Sequence, residues 1–82
     1  MDRFQEMTVF EAVADELSLA AAARRLSLSP PTVTRAIDAL EQRLGVKLLQ
    51  RSTRGVGLTE AGERFLADCR RILAEGSDAD RS

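Results

Sequence analysis

At residues 29–31 the chain reads Ser-Pro-Pro, and this tripeptide limits the fold more than any other stretch. Proline has no amide hydrogen and breaks a helix from within, yet it fits a first helical turn, where the amides lack intrahelical partners anyway. A serine just before it can cap the amides that remain. The tripeptide therefore closes one element and opens a helix. Behind it Val33, Ala36, Ile37, Leu40 and Leu44 recur at helical spacing as one apolar stripe, and Gly45 supplies a left-handed stop. In front of it Ser18 can cap a short helix bearing Leu19, Ala22, Ala23 and Leu26. The alanines from Ala20 to Ala23 combine high helix propensity with little bulk, so another helix can approach closely. Two such helices, joined at Ser27-Leu28-Ser29, make a helix-turn-helix.

The rest of the chain supplies what that pair must pack against. Asp2 is the expected N-cap of a first helix whose buried face holds Phe4, Met7, Phe10, Val13, Ala14 and Leu17. After Gly45 the period changes. Val46–Gln50 is an apolar run, Arg51–Gly55 a polar turn and Val56–Leu58 a return, which predicts a short hairpin with the basic tip Thr53-Arg54-Gly55. A hairpin of that size is marginal alone and must lean on the helices. Thr59 should cap a final helix reaching about Ala74, with Ala61, Phe65, Leu66, Cys69, Ile72 and Leu73 as its apolar stripe, and the polar tail from Glu75 should fray. The expected fold is mainly α. Residues 1–58 are expected to form three helices and a short basic β-hairpin, and residues 59–82 a final helix and a polar tail.

Composition removes most enzymatic classes. The chain has 82 residues, one cysteine and no histidine, so histidine-based nucleophile systems, histidine-ligated metals and internal disulfides are excluded, and we expect no catalytic residue, cofactor or metal. Gly57 and Gly62 mimic the first spacing of a phosphate-binding loop, but Glu63 stands where the lysine is needed. Acidic residues interrupt the first stretch against a signal peptide, and no apolar run approaches a membrane span of ~20 residues. A cytoplasmic domain is the expectation.

The net charge of −1 conceals a segregation. Residues 18–58 carry seven basic side chains (Arg24, Arg25, Arg35, Arg43, Lys47, Arg51 and Arg54) against Asp38 and Glu41, while acids outnumber bases on both flanks. A basic middle segment points to a polyanion. In a helix-turn-helix the second helix enters the major groove with its N-terminal residues at the base edges. Here its exposed face begins with Pro31, Thr34 and Arg35. Arginine bonds guanine bidentately and threonine meets a base edge or a thymine methyl. Asp38, one turn on, is placed to hold Arg35. Double-stranded DNA is the expected partner; the alternative is a winged-helix module whose hairpin and third helix dock on another protein.

Several stretches resemble one family in its own order. Ser18–Leu26 resembles the second helix of LysR-type transcriptional regulators, and Ser29–Ile37 is similar to their recognition helix. Leu40-Glu41, with Leu44–Leu49 and Arg51, resembles the passage into the wing, and Leu58–Gly62 the opening of the linker helix. The resemblance covers about residues 1–75 and implies a bacterial regulator, with residues 1–58 as a winged helix-turn-helix (three-helix core plus short β-hairpin wing) and residues 59–82 as a linker, or dimerisation, helix and polar tail. It implies groove contacts at Pro30, Pro31, Thr34 and Arg35, with Arg54 as the wing residue, on an interrupted inverted-repeat operator. Pro30 replaces a commonly polar residue, which removes one side-chain base contact, and Ala20 and Ala21 replace polar residues that would anchor phosphates. A small-molecule coinducer would be bound only by an effector domain, which these 82 residues do not encode.

The last helix is the expected homodimer contact. Phe65, Leu66, Cys69, Ile72 and Leu73 make a stripe wider than a small three-helix core requires, and a second copy would cover what a monomer leaves wet. The competing arrangement packs the whole stripe against the first helix of the same chain.

Overall fold

A computed structural model describes the backbone of residues 1–81 and the side chains of residues 1–75. Its elements are α1 (Arg3–Glu16), α2 (Leu19–Leu26), α3 (Pro30–Leu44), β1 (Leu49–Ser52), β2 (Gly55–Leu58) and α4 (Glu60–Arg81). The caps are the ones the sequence predicts. Asp2 and Gln5 cap α1 reciprocally, the carboxylate accepting the Gln5 amide at 2.8 Å and the Gln5 side chain accepting the Asp2 amide at 3.0 Å. Ser18 accepts the Ala21 amide at 3.1 Å, and Ser29 accepts the Thr32 amide at 3.3 Å. α3 stops at Gly45 with φ 72°. After α2, Ser27 turns left-handed at φ 58°, and the Leu28 amide returns to the Ala23 carbonyl at 2.9 Å. That closure bends the chain sharply into the α3 cap.

α1 is the centre of the domain rather than a one-faced helix, since α2, α3 and α4 all pack on it. Its buried residues are Glu6, Met7, Val9, Phe10, Ala12, Val13 and Ala14, an arc far wider than the expected stripe. Phe4 and Leu17, expected in the core, are instead 56% and 52% exposed. A three-residue step on a helix falls about 60° short of a full turn, so a stripe extended by threes drifts off its face at the ends. Leu17 also lies past the helix, as its left-handed C-cap with φ 51°. Leu44, the last residue of α3, is likewise 42% exposed. The remaining core residues of α3 (Val33, Ala36, Ile37 and Leu40) are buried as expected.

The hairpin begins later than the hydrophobic run suggests. Val46 is exposed and Lys47 precedes the strand, while Leu48 and Leu49 are buried. Antiparallel pairing runs from Leu49 opposite Leu58 to Ser52 opposite Gly55, leaving Thr53-Arg54 as a two-residue turn. Gly55 holds φ 131°, a conformation other residues resist, and it absorbs the twist of this tight turn.

α4 leans on α1. Phe65 meets Phe10 with ring centroids 5.4 Å apart, and Cys69 is completely buried in the same core as Phe10 and Ile37. Its backbone stays helical to Arg81, past the expected end near Ala74, in keeping with the low cost of extending an existing helix through residues that do not break it. The side chains of the tail from Gly76 lie outside the described residues.

Candidate nucleic-acid interface

The start of α3 has been stripped of backbone donors. A helix normally leaves its first amides free for an anion. Here Pro30 and Pro31 have none, Ser29 caps the Thr32 amide, and the Val33 amide closes onto the Ser29 carbonyl at 3.2 Å. Whatever this end of the helix recognises, it must do so with side chains. Pro30, Pro31 and Arg35 are exposed and Thr34 is half-buried, so all four reach the surface as expected.

Ion pairing separates spare cations from committed ones. Arg25 binds Asp15 and Glu16 at 3.2 and 3.3 Å, and its pKa is raised, chiefly by the Asp15 hydrogen bond. Arg43 pairs with Glu6, Lys47 lies 3.7 Å from Glu41, and Arg51 meets Asp38 at 3.3 Å. Of the basic middle segment, Arg24, Arg35 and Arg54 alone have no ion pair among the described residues. The expected Asp38–Arg35 pair is therefore not formed. Asp38 reaches across to the hairpin, and the tertiary partner wins over the neighbour on its own helix. This pair also sets β1 beside the exposed face of α3, one turn beyond Arg35, and Arg54 stands exposed at the tip of that same hairpin.

Glu41 is the residue the sequence reading missed. It looks like one more acid on a solvated face, yet only 8% of it is exposed, and its carboxylate accepts the amides of Leu48 and Leu49 at 2.8 and 3.2 Å. Thr59 and Gly62 complete the support. Thr59 caps α4 by accepting the Gly62 amide at 2.9 Å, and a Cβ on Gly62 would overlap the Leu48 carbonyl oxygen. The glycine that mimicked a phosphate loop is a close-packing residue.

A winged helix-turn-helix that matches a family model across its span decides the family. Residues 4–63 match the bacterial regulatory helix-turn-helix protein model of the lysR family. The chain belongs to the LysR family. This LysR-family domain is 55% identical over 80 residues to the HTH-type transcriptional regulator TfdS of Cupriavidus pinatubonensis, covering 96% of the chain and 27% of that relative. It is 56% identical over 70 residues to ClcR of Pseudomonas putida, covering 85% of the chain and 24% of the relative. The chain thus spans about a quarter of the length of the curated relatives it matches. Among solved structures, the CbnR_DBD–DNA complex superposes with a TM-score of 0.89 at 51% identity, over 99% of this chain and 93% of that one. The BenM_DBD/benA site 1 DNA complex gives 0.92 at 31% identity, again over 99% and 93%.

The dimer stripe of this LysR-family domain needs one correction. Cys69 has no exposed surface within its own chain and can offer nothing to a partner. Burial, with Glu11 and Asp68 adding to it, pushes its thiol up to about 11, so it is a packed, protonated core residue. Phe65, Leu66, Ile72 and Leu73 are half-buried against the core, neither wholly enclosed by α1 nor free of it. Among the described residues no helix is long and apolar enough to cross a membrane, and no acidic or cysteine cluster has the makings of a metal site.

Proposed function

We propose that this chain is the part of a bacterial LysR-family transcription regulator that reads double-stranded DNA in the cytoplasm, acting by binding and without chemistry of its own. In this reading α3 lies in the major groove, Thr34 and Arg35 face base edges, and Pro30 and Pro31 pack on the groove wall. Arg54 reaches the minor groove or its phosphates from the wing. The observation that carries the reading is the ion-pair pattern. Four of the seven cations of the basic segment are ion-paired within the chain, while Arg35 and Arg54, like Arg24, are exposed and unpaired among the described residues. A charge held ready in this way is what phosphate and guanine contacts use. The CbnR and BenM domains of similar fold were solved as DNA complexes, which supports the same partner here.

Residues 1–58 would read the site and residues 59–82 would join two copies. The half-exposed flank of α4 at Phe65, Leu66, Ile72 and Leu73 supports a two-fold dimer, which would place two recognition helices on an inverted repeat. Replacing Ile72 and Leu73 together with polar residues should give a monomer by sedimentation. A wild-type chain that stays monomeric at high concentration removes the dimer.

A mobility shift on mixed-sequence duplex DNA tests the function itself. The chain should bind weakly at low salt and lose affinity steeply as salt rises. No binding at any salt would leave the protein-docking module in its place.

A further inference from the structure

Lys47–Leu49 is held from two directions at once. From α3, Glu41 takes the amides of Leu48 and Leu49 at 2.8 and 3.2 Å. From the start of α4, Thr59 donates its amide to the Leu48 carbonyl at 3.1 Å and its hydroxyl to the Lys47 carbonyl at 2.6 Å. The same hydroxyl accepts the Gly62 amide, and the bare Gly62 Cα lets α4 sit directly on the Leu48 carbonyl. Two amides of this short segment go to α3, and two of its carbonyls go to the cap of α4. A turn of one helix against the other must break bonds of this set, and those that Glu41 accepts are buried.

We propose that this bracket fixes the angle between α3 and α4, and with it the separation of the two half-sites a dimer reads. Glu41, Thr59 and Gly62 are its positioning residues, acting through the backbone of Lys47–Leu49 and not by touching DNA. The inference rests on the reading of the chain as a DNA-binding dimer. Its leverage follows from the length of α4, 22 residues. A tilt of about 6° at the base of a helix ~30 Å long moves its far end about 3 Å, close to one base-pair step. Selectivity for a single separation therefore needs this joint held to within a few degrees. Packing on α1 through Phe10 and Phe65 holds α4 further along. The bracket holds its first turn.

The test is selection from a randomised double-stranded DNA pool, with sequencing of the bound fraction, for wild type, Thr59→Val, Thr59→Ser and Glu41→Gln. Sequencing reads the half-site motif and the separation of its two copies independently. Wild type should enrich one motif, inverted, at one dominant separation. Thr59→Val should keep the motif while its preference for that separation over the neighbouring ones falls about five- to tenfold, because both hydrogen bonds of the hydroxyl, to the Lys47 carbonyl and from the Gly62 amide, are lost together. Thr59→Ser should restore the preference, and Glu41→Gln, which keeps an acceptor but loses the charge, should relax it less. A folded Thr59→Val chain with unchanged separation preference, or with an altered motif, overturns the bracket. If Thr59→Val fails to fold, Glu41→Gln decides on the same readout. A wild-type motif at scattered separations defeats the bracket alone, whereas no motif at all defeats the DNA reading beneath it.

Discussion

At its N-terminal end α3 shows Pro30, Pro31 and Arg35 to solvent, with no free amide at its cap and no ion pair on Arg35 among the described residues. At its C-terminal end Glu41 is buried on two amides of the wing root and Arg43 is tied to Glu6 of α1. One helix thus carries polar groups left ready for a partner and polar groups consumed by the fold. The two ends should answer separately to mutation. Removing the Glu41 side chain at the far end should move stability most, and removing Arg35 near the start should move binding most.

The largest effect should come from Glu41→Ala. It orphans two amides, one of them on the fully buried Leu48, at a cost of roughly 2–4 kcal/mol, read as a lower urea midpoint. A variant as stable as wild type would break the contrast. Alkaline pH probes the buried core from a different element, α4. Cys69 keeps its proton to about 11 in the folded chain against an ordinary value near 9. Stability should therefore be intact below pH 9 and fall between about 9 and 11, by on the order of 2 kcal/mol. Chemical denaturation at stepped pH shows it, and Cys69→Ala should flatten the fall.

Ser29→Ala touches the ready end itself. Loss of the cap on Thr32 should cost about 1 kcal/mol. The smallest effect should be Asp38→Asn, which loosens an exposed pair with Arg51 for about 0.5 kcal/mol or less, seen as a barely shifted midpoint.

What the sequence disclosed and what it withheld divide along the same line. Caps and breaks are local, so Asp2, Ser18, Ser29, the two prolines and Gly45 marked their helices directly. The exposure of Pro30, Pro31, Arg35 and Arg54 was legible for the same reason, since it depends only on which way a helix or a turn faces. Partners far along the chain were not legible. Glu6 meets Arg43 from 37 residues away, and Glu41 serves amides whose position depends on the whole hairpin. Asp38 had a credible neighbour in Arg35 and chose Arg51. Periodicity names a face but not its depth, so it placed Phe4 and Leu17 inside and counted the fully enclosed Cys69 as partner surface.

The claim at the centre of this account is that Arg35 reads sequence, and one titration addresses it. Fluorescence anisotropy compares wild type with Arg35→Ala on a selected duplex and on a scrambled one of equal length, at a single salt concentration. The account predicts that Arg35→Ala binds the selected duplex roughly 5- to 150-fold more weakly and the scrambled duplex within about twofold of wild type. An equal loss on both duplexes would contradict it, leaving Arg35 a phosphate contact.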